Sequence, residues 1–245
     1  MDTLTYLFYI ISALAPSIVW LLFYLAKDQH PEPKKKILEV FFLGVIIAIL
    51  VAVLEVGILK FINIFFSALI ITSSIWFLLF KYFFIIAMIE EMSKYLIVRK
   101  FILYDSAIDE PLDIMLYLIV AALGFATLEN FLLIFNVAEP SGVLEILKFS
   151  NIRFIGATFF HTLASGAFGF FIALSLCSEK NKISNFFLGF AVAVFSHGLY
   201  NFCIAELSGI LEYLIPIIII ASLSIFTTFG FIKLKKIKSV CKISV

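Results

Sequence analysis

The run from residue 112 to residue 136, LDIMLYLIVAALGFATLENFLLIFN, decides the fold. A bilayer core takes about 20 consecutive apolar residues to cross, and this run is long enough. After Asp113 no charge occurs until Glu129, which sits with Asn130 well inside the run. An acid at the centre of a membrane helix costs about 2.5–3.5 kcal/mol even on lenient insertion scales. Chains retain such groups mostly for chemistry or transport. The same conflict recurs at Glu90-Glu91-Met92-Ser93-Lys94, at His161, and at His197-Gly198-Leu199-Tyr200-Asn201.

The rest of the chain agrees with a membrane solvent. Of its 245 residues 63% are hydrophobic and 14% charged, against about 25% charged in soluble domains. This implies an all-α, polytopic transmembrane helix bundle forming one integral membrane domain over residues 1–245. Helices are predicted near 4–26, 36–59, 81–103, 112–136, 153–177, 184–205 and 211–233. No polar stretch is long enough for a soluble domain, and no repeat is visible. The net charge of +1 is uninformative about partners, and no nucleic acid is expected among them. Cys177, Cys203 and Cys241 show neither a CxxC pair nor zinc-site spacing, so all three are expected to be reduced.

Lysine placement sets topology. Lys27, Lys34, Lys35 and Lys36, then Arg99 and Lys100, Lys180 and Lys182, and the tail from Lys233 onward all fall on one face of a seven-span bundle. The positive-inside rule makes that face cytoplasmic, with the N-terminus outside, in the plasma membrane. The first helix has no basic segment before it and is expected to be retained as a span. Residues 61–80 resist assignment. They are apolar enough to span, yet an eighth span would put the lysine-rich tail outside. A re-entrant segment and a single helix from about 74 to 103 both satisfy the charges.

On these spans Glu90, Glu129, His161 and His197 fall at one level, roughly 10–14 Å below one surface. Gly189, Ala193, His197 and Asn201 form one four-residue stripe, and Ala157, His161, Ser165 and Gly169 another. Positions i and i+4 share a helix face, and small residues let membrane helices approach closely, so both histidines should face other helices. Glu90 and Lys94 have the spacing of an ion pair. Glu91 points about 100° away from Glu90, so the two carboxylates should serve different roles. Plainer roles exist too: Lys94 neutralising Glu90, Asn130 joining helices, Glu55 structural, His30 solvated.

At these motifs the sequence resembles the PrsW family of intramembrane proteases, a branch of the superfamily that holds the CAAX prenyl proteases and the bacteriocin-processing proteins. Glu90-Glu91 with Lys94, Phe125 with Glu129 and Asn130, the isolated His161, and His197 with Asn201 occur in that family's order, within a catalytic core of about 80–205. The resemblance implies peptide-bond hydrolysis at the membrane, with membrane-spanning proteins such as bacterial anti-sigma factors as substrates. The residues suit that chemistry. Hydrolysis needs an activated water, an oxyanion donor and a proton for the leaving amine. Glu90 is the candidate base, with Glu91 beside it. Glu129 and His161 would share the water and carry protons. His197 and Asn201 would face the oxyanion, with Lys94, Asn130 and Phe125 in support. No cofactor is favoured, though Glu90, Glu129, His161 and His197 also form a ligand set that zinc accepts. Two other readings are a proton-coupled transporter with a Glu/His relay and an inactive scaffold for membrane proteins.

Overall fold

The computed structural model describes residues 3–28, 30–65, 74–103, 105, 108–138, 143–177 and 179–237. Among them there is no strand. Helix α1 is Thr3–Leu25 and α2 is Lys34–Phe65. Helix α3 joins the α-helical Ile75–Phe80, a π-helical Lys81–Ala87 and the α-helical Met88–Phe101. Helix α4 is Pro111–Ala138. Helix α5 runs over Val143–Arg153, a π-helical Phe154–Thr158 and Phe159–Leu176. Helices α6, Lys182–Glu206, and α7, Ile210–Lys236, complete the chain. All but α3 are long and apolar enough to cross a membrane. Helix α3 is not, because Lys81, Glu90, Glu91, Lys94, Arg99 and Lys100 interrupt it. The protein is a polytopic all-α membrane bundle.

Two boundaries differ from the sequence reading. Of residues 61–80, 61–65 finish α2 and 75–80 begin α3, while 66–73 lie outside the described residues. The single-helix option therefore holds for the third helix, since Ile75-Trp-Phe-Leu-Leu-Phe carries no helix breaker. Helix α5 also begins ten residues earlier than its apolar run, because Glu145, Lys148 and Arg153 lower the hydropathy without opposing helix formation. That extension packs back on α1: Ile146 joins Tyr9 and Ala13, and Ser150 donates to the Ser12 carbonyl at 2.7 Å.

Helix α4 is the axis of the bundle. From Leu112 to Ala126 nearly every residue is fully buried. A helix apolar on all sides belongs in such a place. Helices α1, α2 and α5 surround it. Gly44 of α2 and Gly124 of α4 set the closest approach: a Cβ on either would overlap a backbone carbonyl oxygen of the other helix, Ala121 or Phe41. Gly57, further along α2, meets nothing within 4 Å. We therefore expect Gly124→Leu to force the helices apart and to destabilise by at least about 1–3 kcal/mol. Gly57→Leu should be neutral. Thermal unfolding of the two detergent-purified variants checks this, and equal midpoints would refute the close-approach reading.

Cys203 is free and buried. Cys177 is disulfide-bonded, contrary to the expectation for all three cysteines, and Cys241 lies outside the described residues. Sequence spacing does not reveal a bridge whose partner is supplied by the fold.

Candidate active site

Lys94 is the hub of the site. Its ammonium, with no exposed surface, donates to Glu91 Oε1 at 2.8 Å, to His161 Nδ1 at 3.0 Å and to Glu90 Oε2 at 3.4 Å. Those bonds use all three of its N–H groups. The Phe125 ring lies 4.5 Å from the charge, a cation–π contact. The expected Glu90–Lys94 pair is present, but Glu91, one residue on, binds Lys94 more closely.

Glu91 is saturated. Oε1 also accepts from His197 Nδ1 at 2.8 Å, and Oε2 accepts from Ser165 Oγ at 3.0 Å. A carboxylate only accepts, so Nδ1 of His197 carries a proton, and in the neutral imidazole Nε2 is then the ring's lone pair. That lone pair faces Glu90 Oε2 at 3.8 Å. His161 has the opposite tautomer. Lys94 donates to its Nδ1, so its Nε2–H donates to Glu129 Oε2 at 2.9 Å. The two imidazoles stand almost perpendicular with centroids 5.0 Å apart.

Residues of α3, α4, α5 and α6 meet in one network, which brings Glu90, Glu129, His161 and His197 together. The stripes of small residues explain why. Gly189 of α6 abuts Phe168 and Phe171, and Gly169 of α5 abuts Met115. The histidines are thereby pulled inward and buried. Asn201 is the exception, being half-buried and outside these hydrogen bonds.

Arg153 was missed by the sequence reading, which placed it at the outer start of a span and gave it no role. Its Nη2 donates to Glu129 at 2.9 Å and its Nε to Asn130 Oδ1. The amide of Asn130 in turn donates to Thr158 Oγ1 at 3.0 Å and to the Ala13 carbonyl at 3.3 Å, so Asn130 joins α1, α4 and α5. A signal was available. Arg153 is one of two arginines in the chain and lies two turns before His161. Glu129, with 27% of its side chain exposed, is the most open member of the network.

Glu55, on α2, lies at this level too. Val51, one turn before it, packs with Phe125, Leu128 and Ile89. Its carboxylate feels the charges of Glu129 and Lys94 but has a buried oxygen, Oε1, without a hydrogen-bond partner. The neighbourhood therefore holds four carboxyl groups, Glu55, Glu90, Glu91 and Glu129, against two permanent cations, Lys94 and Arg153. Buried charge must be balanced. Two protons or one divalent cation would do so. One ligand atom each from Glu90, His161 and His197 lies within 4.8 Å of the others. Glu129 does not belong to this convergent set, because it lies beyond His161 and is held by Arg153.

Comparison with known proteins agrees with this architecture. Residues 32–228 match the family described as PrsW family intramembrane metalloprotease. The chain is 29% identical over 238 residues to Protease PrsW of Bacillus subtilis (strain 168), covering 96% of this chain and 98% of that protein. It is 28% identical over 198 residues to Protease PrsW of Geobacillus kaustophilus (strain HTA426), covering 80% and 79%. No solved structure matches significantly. A network of buried glutamates and histidines on four helices, within a match that spans most of the chain, places it in the PrsW family: it is an intramembrane protease.

Proposed function

We propose that the protein cleaves single-span membrane proteins through a water activated by Glu90. The supporting observation is the contrast between the paired glutamates. Both oxygens of Glu91 are engaged, by Lys94, His197 and Ser165, while Glu90 makes a single long bond of 3.4 Å and faces Nε2 of His197. A water donating one hydrogen to Glu90 and one to His197 turns its oxygen lone pairs toward a substrate carbonyl. As that oxygen bonds to the carbonyl carbon, Glu90 takes the proton and then returns it to the nitrogen as the C–N bond breaks. Glu91 fixes the His197 tautomer. Glu129 and Arg153 hold His161, which through Nδ1 holds Lys94. Asn201 is assigned to the oxyanion only by its place one turn from His197. The PrsW resemblance points to bacterial anti-sigma factors as a substrate class. The lysine distribution supports a plasma-membrane orientation with the N-terminus outside and the C-terminus cytoplasmic.

A second reading has a specific observation in its favour, the excess of two carboxylates. Glu90, His161 and His197 would hold a zinc ion. Two imidazoles and a carboxylate leave an open fourth position, and Glu91 behind His197 is the outer carboxylate that such sites use. The ion would supply a water acidic enough to ionise near neutral pH. Against it, the Lys94 ammonium already engages Glu90 and the His161 Nδ1 lone pair. We expect cleavage of a co-reconstituted single-span substrate to survive a chelator titration, with no stoichiometric metal in the purified protein. One zinc per chain, lost with activity and restored with it, would overturn the Glu90-only scheme.

A further inference from the structure

The C-terminal end of α1 and the last three turns of α7 enclose a cavity that the proteolytic site does not use. Its volume is about 340 Å³. Lys27 and Lys235 stand at its mouth, Thr228 and Ser224 lie along α7, and Phe159 and Leu163 of α5 form its inner wall. Along α7 the lining runs from Ser224 to Lys235, which at about 1.5 Å per residue is about 16 Å of depth. The cavity is therefore narrow, charged at one end and apolar at the other, and its charged end lies where two membrane helices terminate.

Among the described residues the charges at the mouth meet no counter-ion. No acidic residue is among the described lining, and neither lysine forms an ion pair among the described residues. Lys235 instead donates to the Lys27 carbonyl, and the Lys27 ammonium lies 4.8 Å from the Phe23 ring. The bond to a carbonyl of the other lysine brings two cationic side chains to one opening. The hydroxyls deeper in add little anion recognition. Ser224 donates to Ile220 and Thr227 to Leu223, so their protons are already engaged.

We propose that this cavity is a site for an anionic phospholipid, its phosphate held by Lys27 and Lys235 and one acyl chain lying against Phe159, Leu163 and Ile232. Basic pockets between membrane helices take such headgroups. A bilayer supplies the ligand at high local concentration and in the required orientation, headgroup at the helix ends. The inner wall connects the site to catalysis. Phe159 and Leu163 flank His161 on α5, and Tyr24, also in the lining, bonds Thr162 at 3.1 Å.

The test is native mass spectrometry of the full chain released from vesicles of phosphatidylcholine with or without phosphatidylglycerol, with soluble glycerol phosphate as a headgroup-only control. We expect one retained phosphatidylglycerol per chain, no retained glycerol phosphate, and retention at least tenfold weaker in the Lys27→Gln/Lys235→Gln variant. Thr228→Trp, which fills the cavity and keeps both lysines, should weaken retention to the same extent. Unchanged retention in either variant, or equal retention of phosphatidylcholine, would overturn the site. Because the readout is lipid mass, it is independent of whether Glu90 activates water.

Discussion

Glu90→Gln should abolish cleavage while leaving the protein as stable as before. The amide keeps the shape of the carboxylate but does not take a proton from water, and loss of a general base costs about 10²–10⁴ in rate. Folding should be spared, because Glu90 contributes only its 3.4 Å bond to Lys94. Glu91→Gln provides the contrast. It disturbs three bonds at once, to Lys94, His197 and Ser165, so activity and stability should fall together. Turnover of a purified substrate and thermal unfolding, measured on both variants, separate the roles. Near-normal turnover by Glu90→Gln would end its assignment as the base.

Lys94→Met should be the most destabilising single change in the site. Methionine nearly matches the lysine stem in length and apolar character, so packing changes little. What is lost is the cation between Glu90 and Glu91, both buried. Removing one partner of a buried ion pair typically costs about 3–5 kcal/mol. His161 also loses the donor that fixes its tautomer. Adding Glu91→Gln to Lys94→Met should recover part of the stability, since one uncompensated carboxylate disappears. Chemical unfolding in mild detergent measures both. A Lys94→Met protein as stable as the parent, or a double variant less stable than Lys94→Met, would show that Lys94 does not balance the acids.

The network was legible in the sequence because charge stands out against an apolar background. Glu90, Glu129, His161 and His197 were placed together by helix rise, and Lys94 by its four-residue spacing from Glu90; Glu91, turned about 100° away on that reading, entered through the family resemblance. Arg153 escaped because it lies where a span was expected to start, and a cation at a membrane boundary usually serves topology. Glu55 was set aside as lone and structural. Only the register of α2 against α4, fixed by the touching of Gly44 and Gly124, brings it level with Glu129. The lengths of α2 and α5 were underestimated for one reason: hydropathy finds where lipid ends, whereas a helix continues as long as its backbone bonds are made. Asn201 shares the stripe of His197, and a stripe fixes a common face without fixing a partner: Asn201 is half-buried and stands outside the hydrogen bonds of the network.

The π-helical turns at Lys81–Ala87 and Phe154–Thr158 each end three residues before a key side chain, Glu90 or His161. A wide turn takes in an extra residue relative to an α-turn. It therefore re-phases the helix, by about 100° per inserted residue. The outer and inner halves of α3 and α5 are in effect separate dials on one shaft. The inner half can keep its acid or imidazole on the bundle axis while the outer half turns a different set of side chains toward whatever arrives from the membrane. In α5 the setting of the outer dial is what returns Arg153 to Glu129 and Asn130. Changes upstream of the wide turns can thus retune substrate preference without misaligning the hydrolytic atoms, and drift in the outer halves need not carry the chemistry with it.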